Sequence, residues 1–221
     1  MRNRMITLLV LAVFGIVQVR AETIRVIREG TEWCDVWVPQ ANQNGKPRVL
    51  LVGDSITKGY YSNVASALEG KAYCAKFATS ACIADPAFQL QLNTMLSQYH
   101  WDIIHFNNGL HGFRYTEAEY QGGYEQAMEM IKKLAPDAKL IITLTTPLQS
   151  ISELDNLNPR VGERNRIARE MAEKNGAQID DLHSISEGHP EYYRDPYHYK
   201  QEAVKLQAEQ VTSEIKKALQ H

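Results

Sequence analysis

The sequence predicts an α/β domain in which helices cover both faces of a mostly parallel sheet. Three observations carry that expectation. Short apolar runs such as Val49-Leu50-Leu51-Val52 alternate with longer stretches of helical period. The runs are continuously apolar, as strands buried on both faces must be. No internal repeat or low-complexity tract interrupts the alternation, and 221 residues suit one domain with ample core.

The first 21 residues stand apart. Arg2 and Arg4 precede an apolar run of about 13 residues from Met5 to Val17, too short to span a bilayer comfortably. Val19-Arg20-Ala21 then places small residues at the −3 and −1 positions before Glu22, the pattern of a cleaved signal peptide. The mature chain is therefore expected to be exported, periplasmic or secreted, without stable membrane insertion; an uncleaved anchor is the alternative. Cleavage removes three arginines and no acid, taking the formal charge from −2 to −5. That balance, with no basic stripe carrying interleaved aromatics, argues against a nucleic-acid partner. An oxidising compartment would let two of Cys34, Cys74 and Cys82 pair, and Cys74–Cys82 would close a short loop; an odd count leaves one thiol free, or none are bonded. No Cys/His spacing has the form of a zinc site, so neither metal nor cofactor is expected.

Residues 22–46 read as an N-terminal extension. Within it Trp33, Cys34, Val36, Trp37 and Val38 suggest a short strand packed on the sheet, with stacking of Trp33 or Trp37 on substrate as the functional alternative. The turn Asn42–Pro47 leads into the domain of residues 47–221. There Arg48–Val52 is the first strand, followed by a helix through Leu68, then strand Ala72–Ala78. The helix Pro86–Tyr99 is expected to turn Phe88, Leu90, Leu92, Met95 and Leu96 inward. Strand Asp102–Asn107 precedes a helix over Thr116–Leu134, which Thr116 and Glu119 can open as a capping box. Gly122-Gly123 inside that helix cost about 2 kcal/mol in propensity and predict a kink or a late start. Strand Lys139–Thr145, helix Arg160–Asn175, strand Ala177–Asp181 and helix Tyr199–Leu219 complete five strands. Leu148–Pro159 leaves the fourth strand at its carboxyl end, where such segments commonly rim a site.

Chemistry gathers at two places. Gly53-Asp54-Ser55-Ile56-Thr57 follows the first strand directly, so the Ser55 hydroxyl sits at a strand's carboxyl end, the edge where open α/β sheets bind ligands. The next helix directs its free N–H groups to the same spot. Asp-Ser is also an ordinary helix N-cap pair, which is the bland reading. Asp195-Pro-Tyr-His198 lies just before the last helix. A carboxylate three residues before a histidine can hold the ring through Nδ1–H and leave Nε2 free to take a proton from a serine. An N-cap aspartate and a turn histidine are the alternatives, yet both blocks together are much less expected by chance. Tyr192, Tyr193, Tyr197 and Tyr199 crowd this second block, suited to sugar rings or to anchoring a loop.

Together these residues resemble the SGNH (GDSL-type) hydrolase family over about Pro47 to Ile215. Gly53-Asp54-Ser55 matches its nucleophile block, Asp195-Pro-Tyr-His198 its acid–base block, and Asp102 to Gly112 its third block, with Gly109 at the family glycine. Two departures stand out: His111 replaces the oxyanion-hole asparagine, and Phe77–Cys82 lacks the family's second-block glycine. The resemblance implies a flavodoxin-like three-layer α/β/α sandwich on a five-stranded sheet. It also implies a triad of Ser55, His198 and Asp195, with Gly53 and Asp54 shaping the turn. The oxyanion hole would use the Ser55 N–H, a backbone N–H at Ser80 or Ala81, and a side chain at His111 or, second, Asn108. A neutral imidazole can donate one N–H as a carboxamide does. The implied function is an exported serine esterase that removes a small acyl group, expected to be acetyl, from a carbohydrate or other small ester. Lysophospholipase, thioesterase or sugar O-acyltransferase activity are alternatives on the same fold, and a non-catalytic glycan-binding protein is the alternative of another class. Oligomeric state is not readable.

Overall fold

The computed structural model describes residues 25–220; the signal peptide expected over residues 1–21 and the start of the expected extension, residues 22–24, lie outside them. Six strands form one sheet: β1 (Cys34–Trp37), β2 (Arg48–Gly53), β3 (Tyr73–Thr79), β4 (Ile103–Phe106), β5 (Lys139–Thr143) and β6 (Gln178–Asp180). Their order is β1-β3-β2-β4-β5-β6, and every pairing is parallel except β1 with β3. The expected count of five becomes six because the strand suggested around Trp33–Val38 adds to the β3 edge, opposing Cys34 to Thr79 and Trp37 to Lys76.

Helices α1 (Ser55–Ala67), α2 (Pro86–Gln98), α3 (Glu117–Leu134), α4 (Asn158–Asn175), the short α5 (Leu182–Ser186) and α6 (Gln201–Gln220) cover the faces. Alternation along β2 divides the core between them. Leu50 and Val52 join Phe77, Ile104, Phe106 and Ile142 under α2, α3 and α4. Val49 and Leu51 join Ile103 and Ile141 under α1 and α6. No helix among the described residues is long and apolar enough to cross a membrane.

Two sequence expectations need correction. Leu90 is 71 % exposed, because it lies two residues from both Phe88 and Leu92 and so falls on the opposite side of α2. Helix α3 runs unbroken through Gly122-Gly123, entered by the reciprocal Thr116–Glu119 capping box. A Cβ at Gly123 would strike the Ile83 carbonyl, so glycine there admits the backbone of the loop between β3 and α2 rather than a kink; Gln89 Nε2 then donates to both Ile83 O and Gly123 O. Of the cysteine states that the sequence leaves open, the structure has all three unpaired: Cys74 packs under α1 and α6, while Cys82 packs on the other face. Burial pushes the Cys74 thiol up to about 12 and is the largest influence raising Cys82 to about 11, which makes both poor nucleophiles.

The two glycines should answer oppositely to the same substitution. A methyl added at Gly122 would meet nothing within 4 Å, so Gly122→Ala should gain about 0.5–1 kcal/mol from helix propensity. Gly123→Ala should lose about 1–3 kcal/mol through overpacking. Urea denaturation midpoints of the two variants check both signs.

Candidate active site

The parallel strands read β3-β2-β4-β5-β6, the flavodoxin-like order, whose switch point falls between β2 and β4. The chain leaves β2 at Gly53, where a Cβ would collide with the Thr57 side chain, so the first turn of α1 closes tightly over the strand end. Asp54 is the N-cap: its buried Oδ1 accepts from the Ile56 N–H at 2.9 Å. Asp54 therefore shapes the turn, and Ser55 is the first helical residue, whose N–H has no partner within the helix.

The segment before α6 brings its histidine to this serine across 143 residues of sequence. His198 Nε2 lies 2.9 Å from Ser55 Oγ, and His198 Nδ1 lies 2.9 and 3.0 Å from the two Asp195 oxygens. A carboxylate only accepts, so Nδ1 carries the proton and Nε2 presents a lone pair to the Ser55 hydroxyl. Burial disfavours the Asp195 charge, but N–H bonds from Tyr197 and His198 and the His198 ring outweigh it and hold the carboxyl below its ordinary range. Tyr193 and Tyr199 fix the loop: both hydroxyls donate to Pro147 O, at 3.0 and 2.6 Å, and both rings are buried. These two tyrosines anchor rather than line the site, whereas Tyr197 is 39 % exposed beside His198. A cavity of about 70 Å³ borders Ser55, His198, Arg194 and Gln201.

The third wall comes from the chain after β4, whose Asn107 N–H continues the pairing to Val52 O. Gly109 abuts Thr145 without room for a Cβ, and Gly112, at φ +67°, abuts Cys82. Asn108 is 1 % exposed and spends its carboxamide on the loop after β3, accepting from the Ile83 N–H at 2.9 Å and donating to Ala81 O at 3.0 Å. The Ser80 N–H donates to Trp33 O, and the Ala81 N–H to Thr79 Oγ1, both at 3.1 Å. Of the three sequence candidates, Asn108 thus joins the loops after β3 and β4, Ser80 ties the first of these to the segment before β1, and the Ala81 N–H closes back on the end of β3. His111 instead meets a residue absent from the sequence-based site: Glu29 Oε2 lies 2.9 Å from His111 Nδ1, and Glu29 Oε1 accepts the Gly112 N–H at 2.9 Å. Trp33 stands edge-on to the His111 ring at 6.2 Å, with Lys58 of α1 over its own ring at 5.4 Å.

Arg164 holds this wall in place. Fully buried on α4, it donates to Gly109 O at 2.8 Å, His111 O at 2.7 Å and Gly112 O at 3.1 Å, and pairs with Glu117 at 3.0 Å. The sequence does carry a signal for it: Val161, Arg164, Ala168 and Met171 share one helix face, and an arginine on an apolar face needs buried partners. Glu29 carries no such signal, since it sits in an irregular segment 82 residues from its partner.

A family model described as the GDSL-like lipase/acylhydrolase family matches residues 51–205. The chain belongs to that family. Membership makes it a hydrolase acting on ester bonds. Among solved structures, a GDSL-like lipase from Bacteroides thetaiotaomicron is similar at 17 % identity and TM-score 0.65, covering 77 % of this chain and 88 % of that one. A carbohydrate esterase of family 3 from Talaromyces cellulolyticus shares 13 % identity at TM-score 0.65, covering 79 % and 98 %. The aryl esterase of M. smegmatis shares 14 % at TM-score 0.66, covering 78 % and 99 %. No curated protein sequence matches the chain. The family match begins within β2 and so leaves out Glu29 and Trp33, two residues of the third wall.

Replacing the buried guanidinium tests how that wall is held. Arg164→Met should cost about 3–5 kcal/mol, because three loop carbonyls lose their donor and Glu117 loses a buried partner. Urea denaturation should show the loss; a midpoint equal to that of the native chain would mean the clamp contributes nothing.

Proposed function

We propose that this hydrolase is an exported serine esterase that removes a small acyl group, acetyl above all, from a carbohydrate. The observation that carries the reading is the continuous hydrogen-bonded chain Asp195–His198–Ser55 at the carboxyl edge of the sheet. In the proposed reaction Ser55 Oγ bonds to the ester carbonyl carbon as its proton passes to His198 Nε2, and the carbonyl electron pair moves to oxygen. Collapse of this tetrahedral intermediate breaks the bond to the sugar oxygen, which takes the proton from Nε2. Water then attacks the acyl-serine, giving its proton to Nε2, and the second collapse returns that proton to Ser55 Oγ and frees the acid. Asp195 orients the ring and balances its charge while His198 is doubly protonated. The Ser55 N–H and the His111 side chain are the oxyanion donors in this reading.

Support for a small acyl group is the small size of the cavity at Ser55 and His198, about 70 Å³. Support for a carbohydrate is the half-exposed Trp33 beside His111 and the likeness to a carbohydrate esterase. The leader pattern at residues 1–21 supports export.

Ser55→Ala should lower kcat by on the order of 10⁶-fold and His198→Ala nearly as much, with Asp195→Asn near 10⁴-fold; acetate release from an activated acetyl ester measures all three. On a series of p-nitrophenyl esters, acetate should exceed octanoate in kcat/KM by about tenfold or more, and a panel of acetylated glycans should release acetate. Preference for octanoate, or an inert glycan panel, would overturn the substrate assignment.

A further inference from the structure

His111 raises a problem of proton placement that an asparagine at the same position would not. A carboxamide N–H donates at any pH, whereas a neutral imidazole has one N–H. In this chain that N–H is already used: Glu29 Oε2, a pure acceptor when ionised, lies 2.9 Å from Nδ1. With Nδ1 protonated, a neutral ring leaves a lone pair at Nε2, which repels an oxyanion instead of binding it. The expectation that a neutral His111 substitutes for the carboxamide therefore fails on its hydrogen-bond partner.

We propose that Glu29 is a positioning residue that holds His111 as an imidazolium, so that its Nε2–H is the side-chain donor to the oxyanion formed on Ser55. The inference rests on the acyl-serine reading given above.

The surroundings are built for a cation. Glu29 comes from the segment before β1, and the Gly112 N–H on its other oxygen, at 2.9 Å, stabilises it as a carboxylate. Asp54, from the β2–α1 turn, adds a second negative charge; its Oδ2 is buried with no partner among the described residues. Against these stand Arg164 from α4, whose guanidinium donates to the His111 carbonyl at 2.7 Å, and Lys58 of α1 across the Trp33 ring. Burial favours the neutral ring, but the Glu29 hydrogen bond and the charges of Asp54 and Glu29 outweigh both burial and Arg164, so His111 keeps its proton to higher pH than a free imidazole. Glu29 shows the reciprocal effect: burial raises it, yet the His111 ring and the Gly112 N–H hold it below the ordinary glutamate range.

These charges set the sign of the pH dependence. His198 acts as a base, taking the Ser55 proton at Nε2. His111 must be protonated to donate, so kcat falls as pH rises through the point where the ring loses its proton. Glu29→Gln removes the counter-charge, so the alkaline fall should move by about one pH unit or more toward acid, a tenfold loss of kcat on that limb. His111→Asn should keep part of the activity and lose the alkaline fall, because a carboxamide does not titrate.

The experiment measures kcat against pH, by acetate release from a saturating acetyl ester, for the native chain, Glu29→Gln and His111→Asn. NMR titration of the His111 ring in the native chain and Glu29→Gln accompanies it, a readout independent of turnover. The expected result is the acidward shift in Glu29→Gln by both readouts and no alkaline fall in His111→Asn. Superimposable profiles for the native chain and Glu29→Gln, an unmoved ring titration, or an alkaline fall that survives in His111→Asn would overturn the proposal. Ser55→Ala separates the two levels. Turnover in that variant removes the acyl-serine reading itself, whereas an inactive Ser55→Ala with unmoved Glu29→Gln profiles removes only the role of Glu29.

Discussion

Parallel pairing of β3, β2, β4 and β5 is the constraint on which the rest depends. Parallel neighbours must all end on the same edge, so the chain deposits four strand ends side by side however far apart they lie in sequence. The order reverses between β2 and β4, and the diverging connections open a crevice there. Ser55 leaves β2 on one side of that crevice and the Asn107–Gly112 segment leaves β4 on the other. The Asp195–His198 loop is drawn in by the two tyrosine hydroxyls on Pro147, a residue four positions beyond β5. Each part of the site is thereby held by an element whose own stability comes from burial elsewhere.

Two histidines at this edge share one feature, a carboxylate on Nδ1. His198 has Asp195 beside it in the same loop, with the hydroxyl of Ser55 at Nε2. His111 has Glu29 from a distant segment, with Asp54 near by. In the proposed reaction the first works by accepting a proton and the second by retaining one. What separates them is the partner at Nε2 and the balance of charge around the ring, not the residue type.

The fold is largely legible in the sequence because its strands are continuously apolar and its helices announce their starts: Asp54, Asp85 and Thr116 all cap as their residue types suggest. The serine and the Asp-x-x-His block are legible for a related reason, since each lies where a strand or helix boundary forces its place. Leu90 escapes the pattern because a run of apolar residues at i, i+2 and i+4 does not say which one the helix turns outward. The glycine pair in α3 misleads because propensity is local, whereas the need for Gly123 comes from the Ile83 backbone in a distant loop. Asn108, Ser80 and Ala81 look available in sequence because nothing there records their partners in the two loops, at the end of β3 and in the segment before β1. Glu29 is invisible for the same cause, being an acid in an irregular segment whose partner is fixed only by tertiary structure.

The central claim, that Ser55 carries the acyl group with His198 as its base, is tested most directly by covalent trapping. Treatment of the protein with a fluorophosphonate, followed by peptide mass mapping, should place a single phosphonyl adduct on Ser55. The adduct should fail to form at a comparable rate in His198→Ala. An active protein whose Ser55 stays unmodified, or whose inactivating adduct maps to another residue, would contradict the account.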